Sequence, residues 1–354
     1  MERSYWKTLP RSGTATQIAE AARRAEAEGF AGVIGTQVYG PPWAMLGVAA
    51  SATTTLQVAS GIVMGFVRSP FETACAALDL DALSEGRFTL GLGAAPQQWT
   101  ERYFGMDYRP PIGRMREVVE VIRSVDRAAQ VTGDGDGDGG GDGDGPTAPA
   151  PYAGRHYDLS FESFVPTFVA RRRPLPIWLA ALRERLCELA GEVGDGLIGH
   201  PVWSVDWTLG PALDALARGA ARAGRDPDAI HLQLWLTVSM DDDRRVAVDA
   251  AKGNVAFYGG IEQYRPFFVA HGFADVVDRL IEARRSLPLD ECARLVPDEM
   301  ARTFVVCGDR DEVAATLDRL WARANSMVVR PATWGVPPAD VARRSAELDA
   351  LLVR

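Results

Sequence analysis

The chain has 354 residues, of which 47% are hydrophobic and 24% charged, with a formal charge of -9 and a pI near 5.1. These are the proportions of a globular protein rather than a disordered or fibrous one, and the acidity argues against a nucleic-acid partner, which selects a basic face. The scattered cysteines Cys75, Cys187, Cys292 and Cys307 form no C-x-x-C pair and so give neither a zinc signature nor a disulfide framework. No apolar run approaches the roughly 18 residues of a membrane span. The opening segment Met1-Glu2-Arg3-Ser4-Tyr5-Trp6-Lys7 carries no apolar signal core, so a cytoplasmic protein free of the membrane is expected.

In chain order, a strand is expected over 6–9. Thr14 and Gln17 form a capping-box pattern that opens a helix with Ile18, Ala22 and Ala25 on one face and Gly29 past its end. A strand follows over 31–35, then a helix over 43–53 and a strand over 56–63. Pro70 starts a helix that stops at Ser84-Glu85-Gly86, before a strand over 88–92 and a helix over 114–128. The alternation continues with strand 176–180 and helix 183–193, strand 196–199 and helix 211–223, and strand 231–239 with helices through Arg285. Residues 303–307, a helix over 311–324 and a last strand over 326–329 complete the pattern. Seven strands that read as apolar runs between helices, with 6–9 as the best candidate for the eighth, predict a (β/α)8 TIM barrel, with a doubly wound open sheet as the alternative.

The stretch from Gly133 to Pro146 is almost pure Gly and Asp. With nothing to bury, residues 133–151 read as a flexible surface insertion within one barrel domain spanning 1–354. Asp134-x-Asp136-x-Asp138-Gly139 begins like a calcium loop, but Gly145 stands where the closing carboxylate is needed, so the segment reads as linker.

Gly91-Leu92-Gly93-Ala94-Ala95-Pro96 follows a strand as a dinucleotide-binding turn does, yet Pro96 occupies the third small position. The reading preferred is that Gly91 and Gly93 let a strand end approach a flat ring. His156, His200, His231 and His271 share no metal-ligand spacing. His231 begins a strand, the stability end of a barrel, and reads as structural. His200 lies just past strand 196–199 at the catalytic end, either at a cofactor or as a hydrogen-bonded loop residue. Arg68 follows strand 56–63 at the same end, where it either meets an anionic tail or holds the loop by a salt bridge. Arg171-Arg172-Arg173 falls at the opposite end and reads as a solvated face. No G-x-S-x-G elbow or P-loop is present.

Together, several segments resemble the luciferase-like monooxygenase superfamily, particularly its deazaflavin-dependent oxidoreductases. Leu83-Ser84-Glu85-Gly86-Arg87-Phe88-Thr89-Leu90-Gly91-Leu92-Gly93 is similar to the family's L-S-x-G-R-F-x-L-G-L-G. Ala25-Glu26-Ala27-Glu28-Gly29-Phe30 resembles its A-E-x-x-G-[FY] segment, and Gly61-Ile62-Val63-Met64-Gly65-Phe66-Val67-Arg68-Ser69-Pro70 its cofactor-supporting strand and loop. Gly154-Arg155-His156-Tyr157, Pro176-Ile177-Trp178-Leu179-Ala180, Gly194-Asp195-Gly196-Leu197 and Gly308-Asp309-Arg310-Asp311-Glu312-Val313 match later landmarks in order.

The resemblance implies hydride transfer with coenzyme F420, or FMN as the alternative cofactor, on a small-molecule substrate in a chain that pairs as a homodimer. Ser60, Gly61 and Ile62 would form a bulge behind the ring, in this family often with a strained or cis peptide. Gly91, Gly93, Gln97 and Gln98 would lie along the ring or its side chain, and Ala180, Ala181 and Leu182 with the following helix start would meet a phosphate. Many relatives carry a histidine after an acid or amide at the end of the second strand, where this chain has Gly35-Thr36-Gln37-Val38-Tyr39. Gln37 can hydrogen-bond but exchanges no proton near neutral pH, which leaves Tyr39, His200 or water for that task. An oxygen-using FMN monooxygenase and a catalytically silent flavin-binding barrel are the competing readings.

Overall fold

The structure, a computed structural model, describes residues 3–130, 145–170 and 173–352. The Gly/Asp run over 133–144, with its calcium-like opening, and Arg171 and Arg172 lie outside the described residues. Eight parallel strands close into a barrel: β1 (Tyr5–Thr8), β2 (Gly32–Gly35), β3 (Gln57–Ser60), β4 (Phe88–Gly93), β5 (Ile177–Ala181), β6 (Gly196–Gly199), β7 (His231–Met240) and β8 (Ser326–Pro331). Each pairs with the next, and β8 returns to β1 through Tyr5 opposite Met327 and Trp6 opposite Val328. The (β/α)8 expectation holds and the open sheet is excluded.

The connecting helices cover the wall. Helix α1 (Ala15–Ala27) has the expected capping box at Thr14 and Gln17 and buries Ile18, Ala22 and Ala25. Helices α2 (Trp43–Ala52), α3 (Pro70–Leu83), α4 (Pro111–Ala129), α5 (Glu184–Val193), α6 (Leu213–Arg222) and α7 (Arg244–Gly259) follow, and after a run of short helices α8 (Arg310–Trp321) starts on a second capping box between Asp309 and Glu312. Residues 303–307 divide. Thr303 and Phe304 end the short helix Asp298–Phe304, and Val306–Gly308 adds to the upper edge of β7.

The barrel lumen is filled by Trp6, Ile34, Ala59, Trp178, Ile198, Trp235 and Val328. Large indoles fit because a glycine faces them. A Cβ on Gly32 would lie 2.5 Å from the Trp6 ring, and one on Gly196 would lie 2.3 Å from Trp178. These glycines are the cross-strand partners of those tryptophans, so big and small residues alternate around the lumen. At the bottom, His231 stacks on Trp178 at 4.2 Å and its Nε2 bonds Ser326 Oγ at 2.7 Å. Burial pulls its pKa down to about 4, which suits the structural role expected of it.

Candidate active site

The C-terminal ends of the strands form the mouth, and its floor depends on a break in the third strand. The run 56–63, expected as one strand, is two pieces: β3 ends at Ser60, Gly61–Ile62 bulges out through a cis peptide, and Val63–Met64 pairs again with β4. The Ser60 hydroxyl stands in for the broken ladder, accepting from Gly91 N at 2.8 Å and donating to Gly91 O at 2.9 Å. Ile62 and Ala180 then pack on the lumen cluster and cap it.

Two expected roles change with this geometry. Gly91 and Gly93 were expected to yield space to a flat ring, but the chain itself takes the space. A Cβ on Gly91 would lie 2.0 Å from Ser60 O, and one on Gly93 would lie 2.6 Å from Ile62 Cδ1. Ser60, Gly91 and Gly93 therefore build and hold the floor, and Ile62 with Ala180 presents it.

Gln37 is buried at the end of β2 and nearly saturated. Its Oε1 accepts from Met64 N at 3.0 Å and Arg68 Nη1 at 3.3 Å, and its Nε2 donates to Tyr39 O at 3.3 Å. It ties the bulge to Arg68 rather than facing a reactant freely. The Arg68 guanidinium lies 5.9 Å over the Trp43 ring, and Trp43 Nε1 is buried with no acceptor. Burial lowers the Arg68 pKa while Glu72, 3.4 Å away, opposes the shift. Both alternatives for Arg68 thus have a footing: a salt bridge exists, and a donor-rich corner remains. Tyr39 is 64% exposed and joins Trp99 and Tyr103 in an aromatic patch with centroids about 6.1 Å apart.

His200 continues β6 into the mouth. The Val202 N–H donates to its Nδ1 at 3.3 Å, so in the neutral ring Nε2 carries the proton and donates to Tyr264 Oη at 3.2 Å. Burial, helped by the Arg330 charge, brings the His200 pKa down to about 3. The ring is neutral at physiological pH and acts as a hydrogen-bond donor rather than a proton exchanger. Tyr264, whose own pKa burial pushes up, keeps its O–H free to donate further. It sits on a segment after α7 that also carries Gln263, which accepts from Gln97 N and donates to Tyr108 Oη at 3.0 Å. Gln97 thus anchors one loop of the mouth to another, while Gln98 is exposed.

Leu182 O accepts from Trp203 Nε1 at 3.0 Å, and α5 begins at Arg183 without a side-chain cap, with Arg183 and Arg185 both exposed beside it. The free N–H groups and dipole of that helix start are where Ala180, Ala181 and Leu182 were expected to lead a phosphate. A cavity of about 930 Å³ opens behind the His200 loop, lined by Trp203, Trp207, His271, Phe304 and, on β7, Thr237 among others. Among the described residues no group of three or more His, Cys, Asp or Glu is placed to hold a metal ion. No helix there is long and apolar enough to cross a membrane.

Residues 5–327 match the luciferase-like monooxygenase family over most of the chain. The chain belongs to that family. As a luciferase-like monooxygenase family member it is 31% identical to the uncharacterized protein Rv1360 of Mycobacterium tuberculosis over 85% of both chains. It is 28% identical to 5,10-methylenetetrahydromethanopterin reductase of Archaeoglobus fulgidus over 81% of this chain and 80% of that one. Its fold matches a solved F420-dependent secondary alcohol dehydrogenase, in complex with an F420-acetone adduct, at a TM-score of 0.71 and 20% identity over 100% of both chains. The family resemblance read from the motifs therefore holds.

Tyr264 and Gln263 carry further hydrogen bonds of the mouth, Trp43 and Arg330 leave donors unspent there, and the sequence did not single out any of the four. Only Arg330 left a signal, as a cation closing the last apolar strand.

Proposed function

We propose that this protein is an oxidoreductase that transfers hydride between coenzyme F420 and a small organic substrate at the mouth of the barrel. The relatives' names favour that cofactor, and the observation that carries the reading is the preformed floor of Ile62 and Ala180 bordered by unspent donors. The chain's residues fit the group: Trp43 Nε1 lacks an acceptor, Arg68 is a half-buried cation beside it, and the uncapped start of α5 is flanked by Arg183 and Arg185. Coenzyme F420 supplies a deazaflavin ring that exchanges hydride, and its side chain is anionic. Ile62 and Ala180 would support the ring, Arg68 and Trp43 would donate to its acceptors, and the start of α5 would receive phosphate.

His200 and Tyr264 would serve the substrate. His200 donates into Tyr264 Oη, which leaves the tyrosine proton directed at a substrate oxygen as charge develops there. Gln37 would act by holding Arg68 and the bulge, not by exchanging a proton.

Titration of the purified protein with oxidised coenzyme F420 and, separately, with FMN tests the cofactor. Binding of F420 at least tenfold tighter than FMN is expected. Binding of FMN alone, with oxygen consumed during turnover, would replace this reading by an FMN monooxygenase. Cofactor binding without hydride transfer to any of a broad panel of carbonyl and enone compounds would leave a silent binding barrel.

A further inference from the structure

The mouth holds a cation that no described residue neutralises. Arg330 lies near the end of β8, two residues past Val328, which packs in the lumen, so the pleat directs both side chains inward. Its guanidinium sits 5.5 Å over the Trp235 ring and is half-buried. Among the described residues it has no carboxylate within salt-bridge distance and no hydrogen bond, so all five of its N–H donors are unspent. Its charge is nevertheless felt at the site, because it helps hold His200 neutral. In a chain of net charge -9, with acidic groups to spare, a half-buried cation left without a carboxylate among the described residues is placed to receive a ligand's charge.

A second observation lies directly beside it. In the parallel register Thr237 of β7 is opposite Arg330, and aligned residues of neighbouring strands share a face. Thr237 is 2% exposed, and its Oγ1 is buried with no partner. A fully buried hydroxyl left unpaired is uncommon and calls for a missing acceptor. The cation and the orphan hydroxyl thus sit side by side on one face, and the cation is close enough to His200 to act on its charge. Cation–π contact with Trp235 fixes the guanidinium without using its donors, which is how a preorganised anion site is held ready.

We propose that Arg330 and Thr237 form an oxyanion subsite for the substrate, whose carboxylate or phosphate they receive, so that the substrate is an anionic carbonyl or alcohol compound. This rests on the reading that substrate binds in the mouth beside Tyr264. Arg330 supplies the charge and the fork of donors, and the Thr237 hydroxyl supplies a further donor at the same place.

The test measures binding of benzoate and of inorganic phosphate to the full chain by calorimetry, with coenzyme F420 affinity measured alongside, for wild type, Arg330→Met, Arg330→Lys and Thr237→Val. Wild type is expected to bind at least one of the two anions. Arg330→Met should weaken that binding at least tenfold, Thr237→Val about threefold, and Arg330→Lys less than Arg330→Met, with F420 affinity changed less than threefold throughout. Thr237→Val removes a hydroxyl that has no partner, so a purely structural role would leave anion binding untouched and the melting temperature unchanged or raised. Should Arg330→Met fail to fold, Thr237→Val and Arg330→Lys decide the matter. Loss of F420 affinity in Arg330→Met would assign the cation to the cofactor and overturn the substrate subsite. Absence of anion binding to wild type, or equal binding by all variants, would also overturn it. If wild type binds the anions in an Arg330-dependent way but binds no F420, the cofactor reading falls and the subsite stands.

Discussion

Replacing Gly91 with alanine tests whether the floor of the mouth is a self-packed structure. The new Cβ would stand 2.0 Å from Ser60 O and 2.9 Å from Ile198 Cδ1, so about an ångström of movement is needed. The atom in the way is backbone, and it is held: the Ser60 hydroxyl bonds both the N–H and the carbonyl of Gly91. Neither strand can shift without breaking those bonds, which places the cost near the top of the overpacking range, roughly 3 kcal/mol. With an unfolding entropy of about 2.1 cal/mol/K per residue over 354 residues, that lowers Tm by about 4 °C. Gly93→Ala is the internal control. Its Cβ meets Ile62 Cδ1 at 2.6 Å, the tip of a side chain that can rotate away. The cost there is about 1 kcal/mol, or about 1 °C, but rotation of Ile62 spoils the floor. Thermal melts at pH 7.5 and F420 titrations on both variants should therefore separate: Gly91→Ala loses stability more, while Gly93→Ala keeps most of its stability and still loses cofactor affinity. If Gly91→Ala melts with wild type, or Gly93→Ala proves the less stable of the two, the packing argument is wrong.

His231 has a folded pKa near 4 against an ordinary 6.5, so below pH 6.5 the unfolded chain takes a proton that the folded one refuses. Stability should fall as pH drops from 6.5 to 5, by up to about 1.4 kcal/mol per unit for this residue, and His231→Phe should reduce the slope of the urea-midpoint profile over that window, with His200 supplying a similar part of what is left; an unchanged slope would count against it. The Glu26 carboxylate accepts from the backbone N–H groups of Thr54, Thr55 and Leu56 at 2.7 to 3.0 Å. Burial works to raise its pKa, but those hydrogen bonds outweigh it and bring it to about 2. Its contribution is present above about pH 4.5 and lost as pH falls toward 2, and Glu26→Ala should cost about 1–2 kcal/mol at pH 7, discounted for solvent screening, read from urea unfolding. Tyr264→Phe should lower kcat of F420-linked turnover by about 10- to 100-fold with little change in KM; a change in KM alone would make Tyr264 a binding residue.

What could be read from the sequence follows the range of the interactions involved. The capping box at Thr14–Gln17 is local, and the structure reproduces it; the one between Asp309 and Glu312 is as local but was not read from the sequence. The barrel itself is legible because each strand is a short apolar run between helical patterns. The break at Gly61–Ile62 is not legible in composition, since Leu56 through Val63 keeps a strand's composition; the family resemblance alone pointed to a bulge with a cis peptide at Ser60-Gly61-Ile62, and the structure has one there. The contacts that make the mouth are longer in range. His200 meets Tyr264 across 64 residues and Gln97 meets Gln263 across 166, on segments whose helices carry no motif. Gln37 was legible as a residue at the right place, but its bonds to Met64 and Arg68 depend on how the bulge folds back.

The same packing joins stability to function in this barrel. Trp235 fills the lumen, bars a side chain at Gly61, where a Cβ would lie 2.6 Å from its ring, and carries the Arg330 cation on its face. One indole therefore sets the shape of the floor and the position of the charge beside it. Because the bulge is held by Ser60 and Gly91 rather than by a ligand, the floor is formed before anything binds, and little binding energy goes into ordering it. The polar groups left over at the mouth, Trp43 Nε1, Thr237 Oγ1 and Arg330, are those that this rigid frame cannot satisfy from within. Their orientation is set by packing and their partners are not, which is the condition under which a site selects its ligand by charge and hydrogen bonding rather than by remodelling itself.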